Sequence, residues 1–307
     1  MKTTVIYHSA DFDGVFCREI AKKFIPDADL VGWNFGDSPL KIPNGPIYIL
    51  DLPVDGVFGF DYKVVGNQKG PKHPAGLVWI DHHKSSIESH PSDIVGYRID
   101  GVAACRLAWQ WFDYHSKGFD GHFNQLDPNL PRKDDYIHRR VSEPWAVRLA
   151  GEYDIWDKRD SDAELFQHGL RSEQLHSSTW DDMLSIECGS TVVRLLNQGR
   201  ALEYAKAQEN ESIIKSNGFT VKWEGLTFLA CNASRFNSHL FKAGINPEHD
   251  ALLGFSLRSN GKWVVSLYGS PNRPDLDLSA IASRYGGGGH RQACGFTCDK
   301  LPFITSM

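Results

Sequence analysis

Short runs of apolar residues recur along the first third of the chain, and each run ends in polar or ionisable residues. The runs occupy residues 3–8 (TTVIYH), 47–52 (IYILDL) and 77–83 (LVWIDHH), and they are rich in valine, isoleucine and aromatic residues. Continuous apolar runs, rather than alternating ones, are typical of strands in a parallel sheet that is covered on both faces. We therefore predict three buried parallel strands in this region.

Helical patterns separate and follow these strands. Residues 15–24 carry apolar side chains at helical spacing after a turn at Gly14, and similar spacing returns at 101–112 and 145–160. Strands alternating with helices predict an α/β domain with a doubly wound, mainly parallel sheet. The polar stretch at 113–140, which is punctuated by proline and glycine, is interpreted as a surface excursion or lid.

The last third of the chain has a different pattern. Residues 219–234 and 250–270 alternate between apolar and polar positions, and the SNGK segment at 259–262 is typical of a hairpin turn. These features predict a smaller α+β domain at the C-terminus.

The two patterned regions are joined by a long helical stretch that contains Gly199 as a potential break. We interpret this stretch as a connector between domains. The predicted division of the chain is a catalytic domain at residues 1–190, a helical connector at 191–216 and a second domain at 217–307.

Composition and charge restrict the location and the partners of the protein. Of the 307 residues, 41% are hydrophobic and 23% are charged, which suffices for two ordinary cores. No apolar run approaches the ~18–20 residues needed to span a bilayer, and the N-terminus turns polar too early for a signal peptide. We therefore predict a cytoplasmic protein. The formal net charge of −5 argues against an extended basic track for long duplex DNA, and short substrates remain compatible with it.

Ionisable side chains cluster where the predicted strands end. His8 ends the first strand, Asp51 lies at the end of the second, and the Asp-His-His run at 81–83 ends the third. In doubly wound sheets, ligands bind outside the carboxyl ends of the strands. We therefore expect these side chains to meet at one edge of the sheet, together with Asp11 and Asp13 in the loop that follows His8.

Each of these positions also has an ordinary structural interpretation. Asp13 is compatible with a helix N-cap and Asp51 with a turn residue. The histidines at 82–83 are compatible with a surface pair. Asp154, in the segment GEYDIWDKRD, is compatible with a solvated acidic face, and Asp157 is a competing candidate for any role of Asp154.

Taken together, the positions favour a metal site. Several carboxylates and imidazoles at adjacent strand ends would repel one another unless cations bound among them. Mixed carboxylate and imidazole ligands without thiolate suit Mn²⁺ best, with Mg²⁺, Co²⁺ or Zn²⁺ as alternatives. The number of ligands exceeds the needs of one ion, so we predict two metals that share a carboxylate, an arrangement common in phosphoryl chemistry.

A glycine-rich segment, GGGGHRQACGF at 286–296, lies far along the chain. Consecutive glycines allow backbone N–H groups to approach an anion closely. His290 and Arg291 add charge-assisted donors, and arginine grips a phosphate with two parallel hydrogen bonds. A flexible linker is the alternative, although the segment returns at once to apolar residues.

These motifs resemble those of a known family. The His8-to-Asp13 segment, Asp51, the 81–83 run and Asp154 are similar to the four motifs of the DHH phosphoesterase superfamily. GGGGHRQACGF resembles the glycine-rich segment of the DHH-associated domain, of the first subtype. Relatives with both parts include RecJ-like single-strand exonucleases, nano-RNases, and phosphodiesterases of cyclic dinucleotides or their linear products. The resemblance covers essentially the whole chain.

The resemblance implies a role for each matching residue. One metal would be held by His8, Asp11 and Asp51, and the other by Asp13, Asp51, His82 and Asp154. Asp81 and His83 would be the catalytic pair, with His83 either beside the substrate phosphate or orienting the site. The substrate would be bound by Gly286, Gly287, Gly288, Gly289, His290 and Arg291, and by Ser234 and Arg235 in NASRFNSHLF.

The chain departs from the family pattern at two places. Many members place the first histidine four residues before the first aspartate, whereas His8 precedes Asp11 by three. Many members also carry an arginine in the strand before the glycine run, where this chain has Tyr268 in SLYGS. A tyrosine that stacks on a base is an alternative at that position.

The function implied by the resemblance is two-metal hydrolysis of short single-stranded RNA or DNA, or of dinucleotides, to 5′-mononucleotides in a cleft between the domains. This activity would be like that of an oligoribonuclease. An inorganic pyrophosphatase or exopolyphosphatase is the alternative within the superfamily, and a catalytically silent cyclic-dinucleotide sensor is the alternative outside enzymology. The base, the sugar, a cyclic or linear substrate, and a homodimer are left open.

Overall fold

A computed structural model describes most of the chain. The described residues are 1–60, 74–117, 129–187 and 189–304. They fall into two compact units, Met1–Arg200 (the N-terminal unit) and Ala201–Met307 (the C-terminal unit). Part of the predicted excursion, residues 118–128, lies outside the described residues. Among the described helices, none combines the length and the apolar character that crossing a lipid bilayer requires.

The N-terminal unit alternates strands and helices. Its strands are β1 (Thr4–His8), β2 (Asp29–Trp33), β3 (Ile47–Leu50), β4 (Leu77–Asp81) and β5 (Gly96–Arg98). Its helices are α1 (Phe12–Phe24), α2 (Val54–Phe58), α3 (Lys84–Ser89), α4 (Ala104–Ser116), α5 (Lys133–Ile137), α6 (Trp145–Asp154), α7 (Asp162–Arg171) and α8 (Ser177–Met183). Helix α9 (Ser190–Asn217) contains the boundary between the two units.

The strands of the N-terminal unit form one parallel sheet in the order β2-β1-β3-β4-β5. The chain therefore runs outward from β1 in two directions, first to β2 and then through β3 to β5. The point between β1 and β3, where the strand order reverses, is where ligands bind in such sheets. The pattern predicted β1, β3 and β4, but it missed β2, which is partly exposed, and β5, which has only three residues.

Successive residues of the strands contribute to different cores. Val5 and Tyr7 pack with helices α1 and α4 on one face, whereas Ile6 packs with helix α2 on the other. Helices thus cover both faces of the sheet, which explains why β1, β3 and β4 are continuous apolar runs. The predicted doubly wound α/β fold is confirmed.

Two helical predictions in this unit need correction. The helical pattern extends over 145–160, but helix α6 ends at Asp154. Trp156 adopts a left-handed backbone, with φ of 56°, which is incompatible with a continuing right-handed helix. The predicted excursion is partly helical, since α4 continues to Ser116 and α5 lies within it. Helix α5 is anchored by the buried Tyr136, whose hydroxyl lies 3.1 Å from that of Tyr97.

Gly199 does not break helix α9, contrary to prediction, because it lies where two helices cross at close range. A Cβ atom on Gly199 would collide with the backbone carbonyl of Leu165 in α7. A Cβ on Gly169 of α7 would in turn collide with the carbonyl of Leu195 in α9. The paired glycines let the two helix backbones touch, so Gly199 is required by packing.

Substitution of Gly199 by alanine is therefore expected to destabilise the N-terminal unit. The new methyl group must push α7 and α9 apart, and such overpacking costs about 1–3 kcal/mol, despite the higher helix propensity of alanine. Thermal or urea unfolding would measure the loss. Glu203→Ala, on the exposed surface of the same helix, is the control; equal stability of G199A and the parent would contradict the close crossing.

The C-terminal unit is built on a second sheet. Its strands are β6 (Gly218–Trp223), β7 (Leu226–Asn232), β8 (Ala251–Leu257), β9 (Trp263–Gly269), β10 (Gly288–His290) and β11 (Ala293–Cys298), and it also contains helix α10 (Ser279–Arg284) and a 3-10 helix at Ser238–Phe241. The strand order is β10-β11-β9-β8-β7-β6. Neighbouring strands are antiparallel except for β7 and β8. The unit is a mixed α+β structure, as the alternating pattern predicted.

Two details of this sheet bear on the sequence predictions. The predicted hairpin is present, because β8 and β9 are antiparallel and Arg258 donates its backbone N–H to the carbonyl of Lys262 at 2.9 Å. The glycine run was predicted as a loop, but its second half forms the edge strand β10, which pairs with β11. Gly289 has φ of 133° and approaches the Cys294 backbone too closely for a side chain, so glycine is needed there for packing.

Candidate metal centre

The loop after β1 is tight because its glycine lies against the strand it follows. A Cβ on Gly14 would collide with the carbonyl of His8. Asp11 caps helix α1, and its Oδ1 accepts the Gly14 N–H at 3.0 Å. The other oxygen of Asp11 lies 2.8 Å from His8 Nδ1. The loop therefore directs one imidazole and one carboxylate to the same point beyond β1.

Asp13 lies in the first turn of α1 and points into the protein. Its two oxygens accept the backbone N–H groups of Ala104 and Cys105, each at 2.8 Å, at the start of helix α4. Only 2% of Asp13 is exposed. Burial, together with the nearby charge of Asp51, raises the pKa of Asp13 to about 6. The N-cap interpretation applies to Asp11, and Asp13 is instead held by a distant helix.

Asp51 follows β3 with a left-handed backbone, at φ of 59°. Such a conformation is strained for a residue with a side chain, and it is typical of functional sites. The Asp51 oxygens lie 3.4 Å from His8 Nδ1 and 3.4 Å from His82 Nε2. Oδ1 is buried and accepts no hydrogen bond from the described residues. An unpartnered, buried carboxylate oxygen is costly unless a cation binds it.

The run at 81–83 turns sharply after β4. Asp81 Oδ1 accepts the backbone N–H groups of His82 at 2.7 Å and His83 at 3.2 Å. The same oxygen lies 2.7 Å from His83 Nδ1, and this hydrogen bond raises the pKa of His83. With Nδ1 engaged by Asp81, the Nε2 atom of His83 is the nitrogen left for other partners.

Asp154, and not Asp157, is the further carboxylate that lies near His82. Asp154 ends helix α6, and its Oδ2 lies 3.4 Å from His82 Nε2. Burial, and after it the charge of Asp13, raises the pKa of Asp154 to about 7. Asp157 instead accepts a hydrogen bond from Arg159 Nε at 2.8 Å. The hydrogen bond from Arg159 lowers the pKa of Asp157.

The predicted metal ligands come together as three overlapping groups. Within each group, the candidate ligand atoms lie within 4.8 Å of one another. These groups are His8, Asp11 and Asp51; Asp13, His82 and Asp154; and Asp51, His82 and His83. Asp51 belongs to the first and third groups, and His82 to the second and third. We call this set the imidazole–carboxylate centre.

The electrostatics of the centre fit bound cations. The nearby carboxylates of Asp11, at 2.8 Å, and then Asp51, at 3.4 Å, raise the pKa of His8 to about 10. Burial alone would lower the pKa of His82, but the surrounding carboxylates outweigh it and raise the pKa to about 10. The carboxylates therefore favour protons on these imidazoles when no cation is bound. A divalent ion would displace these protons and supply the same positive charge.

The donor set also fits particular metals. Carboxylate oxygens with imidazole nitrogens, and no thiolate within these groups, suit Mn²⁺ and allow Mg²⁺ or Co²⁺. Cys17 and Cys105 are buried behind the centre, and burial raises the pKa of both thiols well above its usual range, so both stay protonated.

Phe35 lies beside this centre and has no counterpart among the predicted site residues. It follows strand β2, which the apolar pattern did not predict because that strand is short and partly exposed. The WNFGD segment carries an aromatic residue next to a glycine, and that was the only local signal for it.

The predicted substrate residues lie in the C-terminal unit. Gly286–Gly289 and Tyr268 line one groove of about 570 Å³. His290 and Arg291 are exposed, and the Arg291 guanidinium donates to the backbone carbonyl of Asp275. Ser234 and Arg235 lie on the exposed bend that follows strand β7. Tyr268, where many family members carry an arginine, therefore lines the same groove as the glycine run.

The fold and the site thus define an α/β protein with an imidazole–carboxylate centre at the switch point of a parallel sheet. No family model matches the chain, and no curated protein matches it either. The comparison with solved structures finds only distant similarities.

Three solved structures illustrate this likeness. A pGpG-specific phosphodiesterase, PggH from Vibrio cholerae, is 15% identical with a TM-score of 0.45, over 96% of this chain and 92% of that one. The DHH domain of a member of a family of ribosomal proteins is 14% identical with a TM-score of 0.45, over 96% and 82%. An exopolyphosphatase-related protein from Bacteroides fragilis is 11% identical with a TM-score of 0.40, over 98% and 88%. Similarities this distant do not assign a function, which has to come from the side chains of the site.

Proposed function

We propose that this protein is a DHH-type phosphodiesterase that uses two divalent metal ions to hydrolyse short oligonucleotides or dinucleotides to 5′-mononucleotides. The observation that carries the proposal is the position of Asp51 between two groups of ligands. Its Oδ2 faces His8 and its Oδ1 faces His82, each at 3.4 Å. A carboxylate with one oxygen toward each group is what two neighbouring cations need as a bridge.

The first proposed ligand set is one of these groups, and the second adds Asp51, which lies 3.4 Å from His82 Nε2, to the group of Asp13, His82 and Asp154. His8, Asp11 and Asp51 would hold one ion, and Asp13, Asp51, His82 and Asp154 the other. When bound, such a pair of ions lowers the pKa of water and stabilises charge on a phosphoryl group. Mn²⁺ is the proposed metal, because the ligands combine imidazole nitrogen with carboxylate oxygen.

Asp81 and His83 are proposed to handle the phosphate side of the reaction. The Asp81 hydrogen bond fixes the His83 ring and leaves its Nε2 for other partners. His83 Nδ1 also lies 3.8 Å from Asp51 Oδ1, so the ring is at the edge of the proposed bridge. From this position, Nε2 would donate to a phosphate oxygen or hold a proton during the reaction.

The C-terminal unit is proposed to bind the substrate phosphate through its glycine run. The N–H groups of an edge strand and two exposed cationic or ionisable side chains, His290 and Arg291, are suitable donors for an anion. Ser234 and Arg235 are included as further candidates. Local binding of this kind fits a chain with a net charge of −5, which favours short substrates over long duplexes.

The test is incubation of the purified chain with Mn²⁺ and a panel of substrates, with products separated by chromatography. The panel holds linear di- to pentanucleotides, cyclic dinucleotides and inorganic pyrophosphate. We expect 5′-mononucleotides from the linear dinucleotides, loss of activity on chelation, and recovery when Mn²⁺ is restored; Mg²⁺ and Co²⁺ are compared in parallel.

Two other results would overturn the proposal. Phosphate release from pyrophosphate, with the dinucleotides intact, would indicate a pyrophosphatase or exopolyphosphatase. Tight binding of a cyclic dinucleotide without turnover, in the presence of Mn²⁺, would indicate a sensor.

A further inference from the structure

A large aromatic side chain is exposed at the edge of the imidazole–carboxylate centre. Phe35 is 58% exposed, yet its ring lies 5.5 Å from the imidazole of His8 and 6.2 Å from that of His83, centroid to centroid. Both contacts are edge-to-face, with interplanar angles of 75° and 70°. Single exposed apolar residues are common, but this one contacts two imidazoles that both lie within 4 Å of an Asp51 oxygen.

The backbone around Phe35 is held firmly. Asn34 Oδ1 accepts both the backbone N–H and the hydroxyl of Ser9, at 3.1 and 3.0 Å. Asp37 accepts the Asn34 N–H at 2.8 Å, and Trp33 Nε1 donates to the Ser38 carbonyl at 3.2 Å. Ser9 follows His8 directly, so the turn that carries Phe35 is tied to the loop that carries a proposed metal ligand.

Packing accounts for only part of the Phe35 ring. The ring contacts Trp33 edge-to-face at 6.1 Å between centroids. Trp33 is only 4% exposed and belongs to the core on that face of the sheet. The edges of His8 and His83 meet the Phe35 ring, while more than half of the side chain is open to solvent. An aromatic ring that is mostly open to solvent, on a turn held by hydrogen bonds and next to the proposed site of phosphoryl chemistry, is suited to stack on a nucleobase.

We propose that Phe35 stacks on the base of the nucleotide that adjoins the scissile phosphodiester. The inference rests on the proposed function, since that function places the scissile phosphate beside His83 and the ion that His8 would help to hold. A base is separated from its phosphate only by the sugar, so a base on one side of these imidazoles lies within reach of the Phe35 ring. The ligand class is a nucleotide of any base, because every base has a π-face and stacking does not depend on hydrogen-bonding edges.

The contribution of stacking to substrate binding can be measured as a change in kcat/KM. Removal of one base–aromatic contact is expected to reduce kcat/KM by about 5- to 150-fold, mainly through KM. Phe35→Ala and Phe35→Leu should both show this loss, because leucine restores apolar volume but no aromatic face. Phe35→Trp should keep most of the activity.

The test compares these variants on a linear dinucleotide and on two matched dinucleotides that lack one base or the other, all with Mn²⁺. We expect Phe35→Ala to impair the full dinucleotide and one of the two abasic substrates. With the other abasic substrate, which lacks the stacked base, parent and variant should be equal. Ile186→Ala, which shortens an apolar side chain of similar 56% exposure after helix α8, should behave like the parent on all substrates.

Two readouts separate stacking from an indirect effect on His8. The rise in Tm on addition of Mn²⁺ should be the same in Phe35→Ala and the parent. An equal loss on all three substrates, or a smaller Mn²⁺ effect in the variant, would overturn the inference and assign Phe35 to positioning of His8.

Failure of the proposed function gives a different pattern, because the parent itself would then cleave no dinucleotide. In that case, titration calorimetry with the uncleaved dinucleotide and Mn²⁺ tests the stacking directly. Weaker binding to Phe35→Ala than to the parent would support the inference, and equal binding would overturn it.

Discussion

Asp51→Asn is expected to abolish metal-dependent hydrolysis while leaving the protein folded. The amide cannot bridge two cations as a carboxylate does, so both groups of ligands lose a member at once. Changes to residues that only support a metal ligand already cost about 10- to 100-fold. Loss of a shared ligand should therefore reduce kcat/KM by more than about a hundredfold, measured on the best dinucleotide of the panel.

Asparagine is the suitable replacement because of the backbone at this position. Asp51 has φ of 59°, a region that asparagine tolerates and alanine does not. Asp51→Asn keeps the shape of the side chain and changes its charge, so the unfolding transition of the metal-free protein should remain cooperative. Asp51→Ala would add backbone strain and confuse loss of metal with loss of fold.

Metal binding provides a second measurement on the same variant. A ligand that binds only the folded state at a hundred times its Kd stabilises it by about 2.7 kcal/mol. Mn²⁺ should therefore raise the Tm of the parent, and this rise should largely vanish in Asp51→Asn. Asp157→Asn is the matched control, because Asp157 pairs with Arg159 outside the three groups. Normal turnover by Asp51→Asn would exclude the proposed bridge.

His82→Ala is expected to have a comparably large effect on turnover but a different effect on metal binding. His82 Nε2 faces Asp13 at 3.6 Å and Asp51 and Asp154 at 3.4 Å each. Its removal takes a ligand from the Asp13–Asp154 group and leaves His8, Asp11 and Asp51 unaltered. Calorimetry should find two Mn²⁺ ions per chain in the parent, one in His82→Ala, and weakened binding of both in Asp51→Asn.

Stability in the absence of metal adds a further distinction. The protonated His82 separates carboxylates that would otherwise repel one another in a buried setting, and loss of one partner in such a cluster destabilises by about 3–5 kcal/mol. Metal-free His82→Ala should therefore unfold at lower urea concentration than the metal-free parent. The exposed His138 provides the control as His138→Ala. Equal metal content in His82→Ala and the parent would contradict the ligand assignment.

The positions of the site residues along the chain were accessible from local pattern. Three apolar runs end in ionisable residues, and parallel strands bring their carboxyl ends to one edge, so His8, Asp51 and His82 could be expected to meet. The fold class follows from the same alternation of strands and helices. Strand β2 and the turn with Phe35 were not accessible, because a partly exposed strand of five residues has no continuous apolar run.

Other assignments needed contacts between distant segments. Asp154 and Asp157 are both acidic residues at the end of one helical pattern, so the sequence could not decide which of them is near His82. In the structure, α6 ends at Asp154, and Asp157 lies beyond the helix. Gly199 has the same local signal whether it breaks a helix or lets two helices touch. The deciding contact, with Leu165, is made by a different helix.

Residue type and spacing along the chain thus established an α/β protein with an edge rich in carboxylates and imidazoles, because periodicity and strand direction are local properties. The tertiary structure alone decided how these groups are shared. Asp13 is oriented by N–H groups of Ala104 and Cys105, which lie more than ninety positions away along the chain. Asp51, with a left-handed backbone, stands between His8 and His82, which end and follow two different strands. Such orientations depend on packing between remote elements, and no local pattern encodes them.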